Sequence, residues 1–206
     1  MLFDTLALIS LLIIIMLLRR LVNIYPSLLA CLMRWKESVN LEMSVKLSRD
    51  RNILAIALII PFCLTIFHFD LYRPSFLNGL SEPAGLGITI GIFVAYILMR
   101  HAIAVLFRSK KSRKPAYSTS VAAARTFFII LTLLLMAIGG IMSFIGADQE
   151  TIKDAMIWVS GAIYLIFILR RAQIFASSYN FFTVFLYLCA LEIIPTGALV
   201  ASAMIL

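Results

Sequence analysis

Apolar residues run along this chain in six long blocks, at 2–18, 52–69, 84–99, 122–145, 152–169 and 181–206, separated by short polar segments. A helix needs roughly 20 apolar residues to cross about 30 Å of hydrocarbon, and each block is close to that length. The pattern therefore predicts an all-α, polytopic membrane bundle. Its six transmembrane helices form a single integral membrane domain over 1–206. The block edges carry matching signals. Arg19-Arg20 stop the first block and Arg170-Arg171 stop the fifth. Ser81-Glu82-Pro83 opens the third with a cap, an acid and an early proline. Ser118-Thr119-Ser120 is read as the cap of the fourth. The first block starts with Asp4 and has its arginines after the apolar run, the reverse of a signal peptide, so it is read as an uncleaved anchor.

Two polar segments carry patterns of their own. In 21–35, Leu21, Ile24, Tyr25, Leu28, Leu32 and Trp35 recur at helical spacing around Asn23, Ser27 and Arg34. This predicts a helix lying in the cytoplasmic interface. The alternative is that the segment merely extends the first span past Arg20 into the cytosol; Pro26 permits a turn of the chain there. In 39–47, Val39, Leu41, Met43, Val45 and Leu47 alternate with polar residues. That is strand period, but no second alternating run offers a partner. Chance alternation inside a helix is the preferred reading, and strand, helix or loop stays open.

Composition agrees with the pattern. The chain has 206 residues, 63% hydrophobic and 14% charged, with mean hydropathy +1.04. A soluble domain is near half apolar and about a quarter charged. The net charge of +8 is read as a topology signal rather than a nucleic-acid footprint. Sixteen of the eighteen basic residues fall after the first, third and fifth blocks. Asp4, Asp70, Glu82, Asp148, Glu150 and Asp154 fall on the other side with Arg73 and Lys153. Both termini are thus expected outside the cytoplasm. The basic loop 108–120 is expected to fix this topology, and its charge would attract anionic lipid headgroups. Cys31, Cys63 and Cys189 lie on different segments with no paired spacing.

Few residues could carry chemistry. Glu192 falls about 16 Å along the last helix, near mid-bilayer, where an acid is costly and faces protein or water. Pro195 follows three residues later and frees the carbonyl of Leu191, so an acid and a kink coincide. One reading is a proton or ligand role. The other is packing, with a neutral Glu192 bonded to Thr132, Tyr96 or Tyr164; a pair with Arg100 would need a kinked or tilted arrangement. Arg100, His101, Arg170 and Arg171 close two spans and are candidates for an anion or headgroup pocket. Gly87, Gly91 and Ala95, and Gly139, Ser143 and Ala147, form small-residue stripes suited to helix packing, either with each other or with another subunit. His68 and His101 fall at opposite faces, so no haem or metal site is expected. There is no catalytic, phosphate-cradling or paired-acid signature. No cofactor is implied and enzymatic activity is not indicated.

Arg170-Arg171-Ala172-Gln173-Ile174-Phe175, then Phe185-Leu186-Tyr187-Leu188-Cys189-Ala190-Leu191-Glu192-Ile193-Ile194-Pro195, resemble the end of an uncharacterised multi-pass family of bacteroidete inner membranes. Ser48-Arg49-Asp50-Arg51-Asn52 is similar too. The resemblance covers about 30 residues specifically; it implies a bacterial inner membrane and supplies no activity. The expected function is a non-enzymatic subunit or accessory protein of an envelope complex. A proton-coupled carrier using Glu192 and a lipid-modifying membrane enzyme are the alternatives. The expected partners are the bilayer and a protein partner or second copy.

Overall fold

The computed structural model describes residues 2–72, 74, 80–106, 114–177 and 179–205. Arg73 and the core of the basic loop, 108–113, lie outside the described residues. The described chain is helical throughout. The helices are α1 (Leu2–Met33), α2 (Trp35–Met43), α3 (Val45–Ala57), α4 (Ile59–His68), α5 (Glu82–Leu106), α6 (Lys114–Ile145), α7 (Gln149–Ala176), α8 (Phe181–Leu188) and α9 (Ile194–Ile205). A π-helical turn, Cys189–Ile193, joins α8 to α9. Six stretches are long and apolar enough to cross a membrane: Asp4–Met33, Val45–His68, Glu82–Val105, Ser118–Ile145, Gln149–Ala176 and Phe181–Ala203. They coincide with the six apolar blocks and extend most of them.

Two sequence expectations change and one is met. No separate interfacial helix begins at residue 21, because α1 runs unbroken through Pro26 to Met33. Part of the helical stripe in 21–35 faces protein, while Tyr25 is half exposed. Ile24, Leu28 and Cys31 are fully buried against Leu41, Leu54 and Leu58, with Phe127, Ile129 and Ile130 of α6 in the same cluster. The preferred reading of 39–47 is met, since the run is helical on both sides of a single extended residue, Ser44. The Ser44 side chain accepts the Leu47 N–H and so caps α3. Secondly, Ser118-Thr119-Ser120 lies inside a helix and does not begin it. α6 begins at Lys114, and Thr119 and Ser120 are buried in its interior.

The hairpin of α6 and α7 closes on two local devices. Gly146 has φ +79, a left-handed conformation that suits glycine, and the Ala147 N–H reaches back to the Met142 carbonyl. Asp148 then caps α7 through the Thr151 N–H at 3.0 Å. Further along the pair, Gly139 allows close approach. A Cβ there would lie 2.7 Å from both Met156 Cε and Phe69 Cε2. The stripe on α5 behaves differently, since Cβ atoms at Gly87 and Gly91 would meet nothing within 4 Å. Of the two predicted seams, the second is packed inside the chain, with Gly139 in close contact and Ala147 against the same core.

Candidate functional site

The last helix is interrupted where its sequence demands it. Pro195 has no N–H to give the Leu191 carbonyl. The backbone responds one turn earlier, where the Ile194 N–H bonds Cys189 O and makes a π turn. Glu192 sits in that turn with its side chain 1% exposed. Both neighbouring helices hold this region. Tyr164 of α7 donates its hydroxyl to the Glu192 backbone carbonyl at 3.3 Å. Tyr96 of α5 bonds the Thr196 hydroxyl at 3.0 Å.

The Glu192 carboxylate is paired with two arginines, Arg100 of α5 and Arg171 of α7. Arg171 is 2% exposed, and its Nε donates to Ser120 Oγ of α6 at 2.6 Å. Its guanidinium also lies over the rings of Phe167 and Phe175, at 5.6 and 5.7 Å. Arg100 stacks over Phe167 at 5.6 Å. Four helical elements therefore converge on one carboxylate. Each supplies what a buried charge needs: opposite charge, fixed hydrogen bonds and an aromatic face.

The sequence-predicted residues divide clearly. Glu192, Pro195, Arg100 and Arg171 come together. Thr132 does not join them; its hydroxyl returns to the Phe128 carbonyl in its own helix. Arg170 turns away and donates from Nε to the Leu32 carbonyl at 2.9 Å, fastening α7 to the end of α1. His101 is exposed beside Arg100. The four-residue anion pocket is thus not assembled as a unit, because two of its arginines are committed to a carboxylate and a third to a backbone carbonyl.

A second polar cluster was not anticipated. Arg51 of α3, with a 1% exposed side chain, pairs with Glu42 of α2 at 2.8 Å. Its Nη2 also donates to Ser48 and Asn52, at 3.1 and 3.0 Å. Asn52 Oδ1 takes a further bond from Arg125 of α6 at 2.9 Å. Beside this cluster, Arg20 of α1 pairs with Asp50 at 2.9 Å. These residues include the Ser48–Asn52 run that carried part of the sequence resemblance. A polar run of this kind at the start of an apolar block was the available signal.

Residues 5–202 match the family described as Domain of unknown function (DUF4271). The chain belongs to that family. The match takes in both charge clusters of this DUF4271 chain and extends far beyond the C-terminal third. Searches of curated proteins and of solved structures find no match.

Proposed function

We propose that this DUF4271 chain is a non-enzymatic, membrane-embedded subunit or accessory protein of a bacterial envelope complex. It would sit in the inner membrane with both termini outside the cytoplasm. The segregation of basic and acidic loops supports that orientation. The observation carrying the functional reading is the double pairing of Glu192. A carboxylate fixed between two permanently charged guanidiniums, with aromatic rings packed over them, is a cross-brace between helices. A proton carrier needs a carboxyl that can change partners. One described void, of about 10 Å³, is lined by apolar residues of α1, α3 and α6 and by Leu58 between α3 and α4, and offers a water no polar partner.

One feature favours the carrier as a second reading. π turns recur at functional sites, and this one holds Glu192. The deciding experiment is affinity purification of the intact chain from native membranes, beside growth tests of Glu192→Gln. Stoichiometric co-purification of other envelope proteins is the expected result. A chain that purifies alone, with a folded but inactive Gln variant, overturns the subunit reading in favour of the carrier. A reporter active only in the cytoplasm, placed after Arg113 or Arg171, tests the orientation. Activity of the same reporter at the C-terminus overturns it.

A further inference from the structure

We propose that Arg100 also holds the phosphate of an anionic phospholipid, docked from the bilayer against α5 and the π turn. Three observations lead there. The first is charge. Residues 83–147 contain no acid and residues 155–206 contain only Glu192, while Arg100, Arg125, Arg170 and Arg171 all lie in those stretches. The Arg100–Glu192–Arg171 cluster therefore keeps at least one positive charge whichever protonation state Glu192 takes.

The second is direction. Glu192 and Arg171 are 1% and 2% exposed, but the Arg100 side chain is 25% exposed. The α5 residues beside it, Ile97, Leu98 and Met99, are exposed and apolar. Arg100 thus opens onto the outer surface of the bundle, and its one hydrogen-bonded partner among the described residues is Glu192. A guanidinium has five donors in a planar fork, so N–H groups remain for an outside acceptor.

The third is depth. Arg100 lies six residues from the end of α5, about 9 Å along the axis. With its guanidinium held at Glu192, Arg100 meets a phosphate drawn down from the headgroup level, the anionic acceptor the bilayer offers. The proposal rests on the membrane reading but not on the subunit reading. A chain that stays soluble without detergent removes the membrane reading and this proposal together; failure of the lipid test alone removes only the latter.

The test uses the intact chain in mild detergent, with bound lipid counted by native mass spectrometry and the thermal midpoint followed. The probes are phosphatidylglycerol, phosphatidylcholine and inorganic phosphate. Phosphatidylglycerol should be retained and raise the midpoint, and the other two should do neither. Arg100→Gln should weaken phosphatidylglycerol binding about fivefold, the factor for one basic charge at an anionic surface. Arg100→Lys keeps the charge but loses the fork, and should fall between. Lys153→Gln, at the opposite end of the bundle, should change nothing. Equal phosphatidylglycerol affinity in wild type and Arg100→Gln overturns the proposal. So does equal retention of phosphatidylcholine by the wild type, or competition by inorganic phosphate, which would mean a free-anion site. Should Arg100→Gln not fold, the Lys variant and the wild-type headgroup preference decide: a Lys variant equal to wild type overturns the fork.

Discussion

Arg51 and Glu192 both have side chains 1% exposed, yet their charges are neutralised by opposite strategies. Arg51 finds Glu42, Ser48 and Asn52 within ten residues of sequence, on α2 and α3. Glu192 finds its partners on α5 and α7, with Arg100 lying 92 residues away. The centre of the first cluster, Arg51 with Glu42, Ser48 and Asn52, needs only two adjacent short helices, and Arg125 of α6 joins it at Asn52. The second exists only when three long helices have met. Neutral partners also differ. Arg51 keeps two polar neighbours if its acid is lost, whereas removal of Glu192 leaves two cations facing each other with Ser120 Oγ as a neutral acceptor for Arg171. Local clusters stabilise a corner, and distant ones report on assembly.

The largest expected effect comes from removing the distant acid. Glu192→Leu should cost about 3–5 kcal/mol, since it strands buried charges. Glu42→Leu should cost only about 1–3 kcal/mol, as one hydrogen-bonded partner is lost from a saturated set. Glu42 is itself 27% exposed, which lowers the penalty further. Unfolding free energies in mixed micelles measure both. Equal losses would abolish the distinction between the clusters. Glu192→Gln, which preserves shape, should behave like Glu192→Leu, because an amide does not balance two guanidiniums. Replacing Arg100, Glu192 and Arg171 together by Met, Leu and Met should recover most of the loss if stranded charge, rather than lost packing, is its cause.

A steric contrast comes next in size and asks whether helix placement alone explains the distant cluster. Gly139 holds α6 close to α7, the helix that carries Arg171. Gly139→Leu should cost about 1–3 kcal/mol, since its Cβ already meets Met156 and Phe69. Gly91→Leu should change the isolated chain by less than about 0.5 kcal/mol, because that side of α5 is open. The same unfolding assay compares them. A large loss at Gly91 would mean that α5 packs more tightly than the structure shows. A loss of function at Gly91 without a loss of stability would instead locate a partner on that helix.

Much of this was legible in the sequence for one physical reason. A run of some 20 apolar residues has few fates, so all six helical stretches could be read from hydropathy alone. Glu192 and Pro195 stood out because a mid-span acid and proline are costly there. Their partners were harder. Arg100 and Arg171 sit at span ends, where arginine is ordinary, and only the meeting of α5, α7 and the π turn gives them a carboxylate. The stripe in 21–35 named Ile24 and Leu28 among the buried residues but also Tyr25, which is half exposed, and it did not say what covers them. Periodicity reports a covered face, and interface and protein cover it equally well. Arg51 was hard to single out within its polar run because a basic residue at a block edge normally reads as topology.

The smallest expected effect belongs to a carboxylate outside both clusters, and it sets the scale for them. Asp148 is exposed at the start of α7, where Oδ2 accepts the Thr151 N–H and Oδ1 accepts the Thr151 hydroxyl, at 3.0 and 2.8 Å. The backbone bond first, and the hydroxyl second, hold its carboxyl below the ordinary value of 3.8. With the folded value depressed, protonation is harder in the native state. The stabilisation is therefore complete above the unfolded value and fades as pH falls through the folded one. Asp148→Asn keeps a cap but cannot titrate. The stability difference between wild type and Asp148→Asn should stay constant from pH 7 to about pH 5. It should then move against the wild type as pH drops below 3.8. A difference flat across that window would mean that Asp148 caps by shape alone. Since the group is solvent-screened, its effect should stay below that of Glu42→Leu, and a larger one would mean that the exposed cap outweighs a buried ion pair.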